Sequence, residues 1–350
     1  MPAAASADPA ARSREEGRAP RLLLFLGDTV EGGYAKTAFG LRDWAAERCV
    51  GEWALPAASV STGLSRLSPS EARARGAEAM LIGVATPGGL IPDRWLPTLL
   101  EALDAGLDLV SGMHARLVDQ PALRDAAERL GRRLLDVRTP PADVPVASGL
   151  PRSGRRLLTV GTDCALGKKY TALAIARGLV ARGVDARFRA TGQTGIMLAG
   201  DGIPIDAVVS DFVSGAAEQL SPAAPADHID VIEGQGSLFH PAYAPVSLGL
   251  LHGSQPDMIV VCHQPGRAHI LGHPAFPVPS IEQVIDLTAQ LGRLTSPAIR
   301  CVGVSLNTAA LDAATAGREI EETAARVGLP TFDPLRGGAG LDRFLDGLAA

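Results

Sequence analysis

Short apolar runs alternate with stretches of helical periodicity along the first half of the chain. Residues 21–26, 79–85 and 107–112 are apolar runs with the length of buried strands. Leucines at helical spacing predict a helix over 92–105, and a second helix is predicted over 122–130. Strands that alternate with helices indicate a parallel sheet covered on both faces, and therefore an α/β fold class.

The second half of the chain continues this alternation. Strands are predicted at 157–160, 185–189, 228–232, 258–262 and 300–306. Helical segments again separate the strands, so this half also predicts a parallel sheet.

A stretch rich in Pro, Gly and Ser separates the two halves. Residues 140–154 show little periodicity and predict a linker between one domain over 21–139 and another over 155–350. Residues 1–20 are rich in Ala, Pro, Arg and Glu, which predicts a disordered tail.

The segment from Arg156 to Gly178 has the order of a phosphate-binding site. An apolar strand enters a glycine-bounded loop, Lys168 follows Gly167, and an apolar-periodic helix ends near Gly178. Backbone N–H groups, the helix N-terminus and the lysine together attract an anion. A structural turn is the alternative interpretation. The residues expected to bind a phosphate-bearing cofactor here are Gly161, Thr162, Asp163, Cys164, Ala165, Leu166, Gly167, Lys168, Lys169 and Thr171.

This loop departs from the common pattern G-x-x-x-x-G-K-[ST]. Thr162 occupies the position of the first glycine, and Lys169 replaces the residue whose hydroxyl normally holds Mg²⁺. Lys169 is then an extra phosphate contact, or it faces solvent while Thr171 supplies a hydroxyl. We therefore expect a bound phosphate group and doubt ordinary ATP hydrolysis.

Composition limits the classes of function. Of the 350 residues 46% are hydrophobic and 20% are charged, with a net charge of -5, which is typical of a globular protein and argues against a nucleic-acid partner. Four scattered cysteines indicate a reduced, cytoplasmic protein, and no apolar run approaches the roughly 18 residues of a membrane span. We expect a small-molecule substrate and a homo-oligomer.

Six of the seven histidines lie between His228 and His273. His269 and His273 have the i, i+4 spacing of metal ligands, but Gly272 and Pro274 argue against one helix that holds both. We therefore predict no metal site and expect polar loops above the sheet.

Several polar residues follow predicted strands. Glu233 is the strongest acid, because a carboxylate at a strand end beside a phosphate loop binds Mg²⁺ or accepts a proton; a loop or helix-capping glutamate is the alternative. Asp211 is a second, weaker acid. Arg189 is suited to pair with a carboxylate or phosphate, and Asn307 to bind a purine edge.

Longer motifs resemble known families. G-T-D-C-A-L-G-K resembles the loop of dethiobiotin synthetase, whose relatives also carry an E-G-x-G element like residues 233–236 and a strand-end Asn like Asn307. A longer resemblance, to the DgcN-type D-glutamate N-acetyltransferases, covers nearly everything from about Arg21 onward. It rests on that loop motif and, in order, on T-G-Q-T-G-I-M-L-A-G-D-G, S-D-F-V-S-G-A-A-E, E-G-Q-G-S-L-F-H-P, G-L-L-H-G-S-Q-P-D and C-H-Q-P-G-R.

This resemblance implies a Rossmann-like N-terminal domain, a P-loop NTPase-like C-terminal domain, and acetyl transfer from acetyl-CoA to a D-amino acid such as D-glutamate. The loop would hold the coenzyme phosphates without hydrolysing them. From chemistry and position we expect Glu233 as general base, with His240 or His263 as alternatives, and oxyanion stabilisation around 234–237. The expected substrate-binding residues are Arg189, Gln193, Asp211, Gln235, Ser237 and Arg267, of which Arg189 or Arg267 would hold the carboxylates.

Two other functions stay open. An ATP-dependent kinase or ligase of the dethiobiotin-synthetase type predicts Mg²⁺ dependence and release of ADP. A non-enzymatic module that senses nucleotides or binds a partner would also tolerate a loop without its Ser or Thr.

Overall fold

The computed structural model describes residues 19–350, so residues 1–18 of the expected tail lie outside the described residues. The chain divides into two compact units between Thr139 and Pro140. Within residues 19–350, no helix has both the length and the apolar character needed to cross a membrane.

The first unit is a parallel sheet of five strands in the order β2-β1-β3-β4-β5. Its strands are β1 (Leu22–Phe25), β2 (Cys49–Trp53), β3 (Ala79–Ile82), β4 (Asp108–Ser111) and β5 (Leu134–Asp136). Its helices are α1 (Lys36–Trp44), α2 (Pro69–Ala74), α3 (Leu96–Asp104) and α4 (Pro121–Leu130). Short 3₁₀ turns cover Gly32–Tyr34, Ala46–Arg48, Pro87–Gly89, Asp93–Trp95 and Leu117–Asp119.

The three strands predicted in this unit are confirmed, and all three are buried along their length. The sequence did not reveal β2, because its middle residues are Gly51 and Glu52. A Cβ on Gly51 would lie 2.6 Å from the carbonyl oxygen of Ser65, and the Glu52 carboxylate accepts the Thr62 N–H at 2.6 Å. Contacts of Gly51 and Glu52 with residues 61–67 therefore hold β2 in place, and the strand lacks the apolar alternation that would have predicted it.

The second unit is a parallel sheet of six strands in the order β13-β12-β9-β6-β8-β7, with a separate hairpin of β10 and β11. The strands are β6 (Arg155–Gly161), β7 (Ala186–Arg189), β8 (Ile229–Ile232), β9 (Met258–His263), β10 (His269–Ile270), β11 (His273–Pro277), β12 (Arg300–Leu306) and β13 (Thr331–Phe332).

Seven helices of this unit surround the sheet and its connections. They are α5 (Lys168–Ala181), α6 (Gln193–Ala199), α7 (Val213–Leu220), α8 (Ala244–Ser254), α9 (Ile281–Gly292), α10 (Ala313–Val327) and α11 (Ala339–Ala349). Two 3₁₀ turns, Ile205–Ala207 and Ser210–Phe212, precede α7. His269 and His273 lie on opposite strands of the hairpin, so no helix holds both, as expected.

Alternate strand residues build two cores, one on each face of this sheet. Leu157 of β6 packs with residues of α5 and α11, including Ile175 and Phe344. Its neighbour Leu158 packs on the other face, with Ala216 of α7 and Leu250 of α8. The sheet is therefore covered on both faces, which fixes its functional loops at the carboxyl ends of the strands.

Helix α5 continues to Ala181 instead of ending near Gly178, as the sequence suggested. A Cβ on Gly178 would lie 2.4 Å from Cδ1 of Leu345 in α11. This glycine permits close packing of two helices and does not terminate the first one.

The segment expected to be a linker is fixed to the second unit. The N–H groups of Ser148 and Gly149 each donate to the Glu218 carboxylate of α7 at 2.8 Å. A Cβ on Gly215 would lie 1.8 Å from the Pro145 carbonyl oxygen, so this segment packs closely against α7.

A buried polar network surrounds Asp230 of β8, which is 1% exposed. Its Oδ1 accepts from Nε of Arg189 at 2.5 Å and contacts Nε2 of His228 at 3.0 Å. Its Oδ2 accepts from Oγ of Ser221 at 2.6 Å, and Arg156 donates to the same hydroxyl. A buried carboxylate with these partners compensates two cationic side chains.

We expect Asp230→Ala to lower the free energy of unfolding by about 3–5 kcal/mol, because it leaves Arg189, whose side chain is only 12% exposed, without its counter-charge. Urea denaturation of the purified protein measures this loss. Asp201→Ala is the control: its pair with Arg187 is exposed on both sides, and such pairs contribute less than about 1 kcal/mol. Equal losses in the two variants would contradict the prediction.

Candidate active site

The loop between β6 and α5 has the conformation of an anion cradle. Gly167 precedes the helix with φ +106°, and a Cβ there would meet no atom within 4 Å. The N-cap residue of α5 is this glycine, which has no side chain to cap the helix. The N-terminus of α5, with its helix dipole, is the positive end that a phosphate or carboxylate would occupy.

Lys168 is folded into this loop. Its ammonium group donates to the carbonyl oxygen of Asp163 at 2.7 Å, and the residue is 7% exposed. Burial lowers the pKa of Lys168. An anion bound in the loop would favour the charged ammonium and so bind more strongly than the dipole alone allows.

The Asp163 carboxylate connects the loop to the β10–β11 hairpin. Oδ1 accepts the N–H of Cys164 at 2.6 Å, and Oδ2 accepts from Nη1 of Arg267 at 2.9 Å and from the N–H of Leu271 at 2.8 Å. Arg267 also donates to the Cys164 carbonyl at 2.8 Å. The hairpin and the loop therefore hold each other in place.

Glu233 follows β8 and is 5% exposed. Its Oε2 accepts the N–H groups of Thr191 at 3.1 Å and Gly192 at 3.3 Å. Burial raises the pKa of Glu233 to about 7, while Lys169 acts in the opposite direction. A Cβ on Gly195 would lie 2.2 Å from Oε2, so only glycine leaves room for the carboxylate. A carboxylate with a pKa near neutrality is suited to general-base catalysis.

Backbone contacts bring Glu233 to the phosphate loop. The Gly234 N–H donates to Oγ1 of Thr159 in β6 at 2.9 Å, and that hydroxyl also contacts the Lys168 carbonyl at 3.2 Å. The Thr191 hydroxyl donates to the Glu233 carbonyl at 2.7 Å and accepts from the Gln235 amide at 3.0 Å. The acid, the glutamine and the lysine-bearing helix therefore share one hydrogen-bonded frame.

His240 is a neutral hydrogen-bond donor. Its Nδ1 accepts the N–H groups of Ala242 at 3.1 Å and Tyr243 at 3.2 Å, so the proton of the neutral ring is on Nε2. Burial lowers the pKa of His240. With its proton fixed on Nε2, this imidazole is suited to polarise a carbonyl oxygen and unsuited to the base role considered from sequence.

His263, at the end of β9, is joined to the loop through Nδ1, which lies 3.0 Å from Oγ1 of Thr162. Burial lowers the pKa of His263, and the positive charges of Arg326 and Arg267 act in the same direction.

Asp163, Cys164 and His240 each bring one possible metal-ligating atom within 4.8 Å of the others. Both Asp163 oxygens and Nδ1 of His240 already accept N–H groups. These bonds show that Asp163 and His240 fix the backbone around the loop.

The loop positions from Gly161 to Lys169 lie together at this edge of the sheet, but Thr171 does not join them. Its hydroxyl is 2.8 Å from the Ser305 hydroxyl inside the sheet, and the residue is 1% exposed. Asn307 follows β12, where its N–H donates to the His263 carbonyl at 2.8 Å and its amide oxygen accepts the Ala309 N–H at 3.2 Å. Ser237 is buried, and its Oγ accepts the Phe239 N–H.

The remaining predicted residues divide between the site and its surroundings. Gln193 is the first residue of α6 and follows Gly192, which contacts Glu233. The Arg189 guanidinium points back along β8 to Asp230, and Asp211 is exposed in a 3₁₀ turn. The structure does not bring Arg189 or Asp211 to the Glu233 carboxylate.

Two residues that support the site were not predicted from the sequence. Thr191 fixes Glu233 through its backbone N–H and its hydroxyl, although its T-G-Q-T-G motif drew attention only as a place of close ligand approach. Leu271 reaches Asp163 through a backbone N–H, for which a sequence carries no signal.

Comparison with known proteins identifies related chains. A family model for the P-loop domain DUF1611_C, described as a domain of unknown function, matches residues 145–345. A model for DUF1611_N, a Rossmann-like domain of unknown function, matches residues 47–140. These matches confirm the α/β fold class, with a Rossmann-like domain followed by a P-loop domain.

Two curated relatives are each named D-glutamate N-acetyltransferase. The protein of Tritonibacter scottomollicae is 47% identical over 328 residues, which cover 94% of this chain and 98% of the relative. That of Pseudoalteromonas sp is 45% identical over 321 residues, which cover 91% and 96%. A DUF1611 family protein from Anabaena variabilis ATCC 29413 has a crystal structure with 37% identity and a TM-score of 0.82, covering 94% of this chain and 99% of that one. The resemblance found from sequence is confirmed.

The raised pKa of Glu233 predicts a pH-dependent stability. Between pH 4.5 and about 7 the unfolded chain releases the Glu233 proton before the folded chain does, so the folded protein loses stability as pH rises. Glu233→Gln removes this loss. Its stability relative to the unmutated protein should therefore increase by up to about 3 kcal/mol from pH 5 to pH 8.

Urea unfolding at the two pH values measures this difference, with the exposed Asp201→Asn as a control that should show no such change. A stability difference for Glu233→Gln that is the same at both pH values would show that the carboxyl group titrates normally.

Proposed function

The chain belongs to the DUF1611 family, and we propose that it is a D-glutamate N-acetyltransferase that moves the acetyl group of acetyl-CoA to the amino group of D-glutamate. The relatives with this name share 45–47% of their residues with nearly the whole chain. The observation that carries the mechanism is the buried Glu233 carboxylate, with a pKa of about 7, beside a phosphate loop.

The loop residues fit the phosphate groups of coenzyme A. The N-terminus of α5 and Lys168 supply donors and positive charge, and Gly167 leaves open space beside them. Binding a phosphate here requires no cleavage. Lys169 replaces the usual Mg²⁺-binding residue and the Thr171 hydroxyl is bonded to Ser305 inside the sheet, which favours a held phosphate over a transferred one. In this proposal Asn307 contacts the purine.

Glu233 acts as general base in this mechanism. Its carboxylate takes a proton from the ammonium group of D-glutamate, and the freed amine attacks the carbonyl carbon of the thioester. The new C–N bond forms and the C–S bond breaks, and the coenzyme leaves as a thiolate that accepts the second proton released by the nitrogen. A base with a pKa near 7 is half ionised at neutral pH, so it accepts the proton and then releases it to solvent without a large cost.

The thioester oxygen becomes negative during attack and needs donors. We propose that backbone N–H groups of 235–237 and the Nε2–H of His240 supply them. Because His240 stays neutral, it donates its hydrogen bond without a change of protonation during the reaction.

The acceptor carboxylates require positive or amide donors near Glu233. Arg189, proposed from sequence, is neutralised by Asp230, and Arg267 holds Asp163. We therefore assign this role to Lys169, whose charge acts on Glu233, and to the amide groups of Gln193 and Gln235.

Turnover of purified protein tests the function. With D-glutamate and acetyl-CoA, and without ATP or Mg²⁺, we expect release of free thiol and formation of N-acetyl-D-glutamate, and no release with L-glutamate. Thiol assay and mass spectrometry measure both products. Absence of turnover, followed by ADP formation when ATP and Mg²⁺ are added, would instead establish a kinase or ligase.

Glu233→Gln should separate chemistry from binding. We expect kcat to fall by about 10²–10⁴-fold with little change in the KM values, because an amide cannot accept the ammonium proton. In the unmutated enzyme kcat/KM should rise with pH through about 7, the pKa of Glu233, and the variant should lack this limb. Glu218→Gln, in a carboxylate that binds the N–H groups of Ser148 and Gly149, is the matched control and should keep its kcat. An unchanged kcat in Glu233→Gln would remove the residue from catalysis.

A further inference from the structure

Three large apolar side chains are exposed beside the phosphate loop. Tyr243, Leu271 and Phe276 are 54%, 53% and 47% exposed, respectively. Leu271 is the residue whose N–H binds Asp163 of the loop, and Phe276 follows it on β11. Exposed apolar groups gathered next to a polar binding site are typical of a surface that a ligand covers.

A chain of ring contacts joins these residues. The Tyr243 ring stacks on His240 with centroids 4.6 Å apart, His240 meets His273 edge to face at 5.0 Å, and His273 meets Phe276 at 6.2 Å. We call Tyr243, His240, His273 and Phe276 the aromatic platform. His240 follows β8 and His273 lies on the hairpin after β9, so the platform spans the space in front of the β6 loop that lies between them.

The order of strands predicts how an acyl donor would lie along the carboxyl edge of the sheet. Asn307 follows β12, the phosphate loop follows β6, and Glu233 follows β8, in the sheet order β12-β9-β6-β8. Neighbouring strands are about 4.8 Å apart, so Asn307 and Glu233 are separated by three such steps, or about 14 Å. With the purine at Asn307 and the phosphates in the loop, the rest of the donor continues toward β8, past the part of the aromatic platform that follows that strand.

We propose that the aromatic platform binds the pantetheine arm of the acyl donor and directs its thioester toward Glu233; this inference rests on the proposed function. The arm carries a dimethyl-substituted carbon and methylene groups that match the exposed faces of Tyr243 and Phe276. Its two amides match the polar edges of a platform that contains imidazole rings. The arm alone joins the phosphates to the thioester, so a surface between the loop and Glu233 is the surface that it crosses.

Binding of two ligands tests this assignment without turnover. Coenzyme A contains the arm, whereas adenosine 3′,5′-bisphosphate contains the purine and two phosphates but no arm. We expect Tyr243→Ala and Phe276→Ala each to weaken coenzyme A binding by about fivefold to tenfold, the size of one lost apolar contact, and to leave the affinity for the bisphosphate unchanged. Calorimetric titration measures both affinities.

Three further variants serve as controls for this experiment. Lys168→Ala should weaken both ligands, because both carry phosphates. Leu294→Ala, in a side chain that is 78% exposed after α9, should affect neither. Tyr243→Phe, which keeps the ring, should retain the affinity for coenzyme A.

Other results would overturn the inference. Equal losses for both ligands would show that the platform only shapes the loop, and a loss confined to the bisphosphate's affinity would place the purine on the rings. Unchanged affinities in both alanine variants would show that the arm lies elsewhere. If the unmutated protein bound neither ligand, the proposed function itself would fail, whereas the other outcomes leave acetyl transfer intact.

Discussion

The position of Glu233 depends on the close contact between Gly234 and β6. A Cβ on Gly234 would lie 1.6 Å from the Thr159 carbonyl oxygen, so any other residue would force β8 and β6 apart at their carboxyl ends. With glycine there, the Thr159 hydroxyl bonds the Gly234 N–H and also reaches the Lys168 carbonyl. Because Gly234 has no side chain, Glu233 at the end of β8 lies beside the phosphate loop that follows β6.

Burial moves the two central charges of the site in opposite directions. It lowers the pKa of Lys168 and raises the pKa of Glu233, so each group is pushed toward its neutral form. A bound phosphate restores the charge of the lysine, and a bound ammonium group favours the ionised glutamate. Each substrate therefore favours the ionised form of the group that it binds. The same low-dielectric surroundings make these interactions stronger than they would be in water.

The order of adjacent residues predicted the strands, the loop and the helix that form this site. Contacts between residues far apart in the chain determine which side chains enter it. The strand, the glycine loop and the start of α5 at Lys168 follow from adjacent residues, and so does the position of Glu233 after β8. Arg189 was predicted at the site because it ends a strand, but its guanidinium points back to Asp230 of β8. The hairpin carries no apolar periodicity, and its place depends on Asp163, more than 100 residues earlier. The sequence alone does not indicate contacts between residues so far apart in the chain.

Acyl transfer uses a phosphate loop differently from phosphoryl transfer. In phosphoryl transfer the phosphate reacts where it is bound, so the loop needs a metal ion and a hydroxyl to hold it. In acetyl transfer the phosphates only anchor the donor, and the reacting carbonyl lies at the far end of the donor. In the proposed reaction Lys169 can therefore replace that hydroxyl. The hairpin that Asp163 fixes to the loop lies along the proposed path of the donor, so this one carboxylate would order both the phosphate site and the surface that leads away from it.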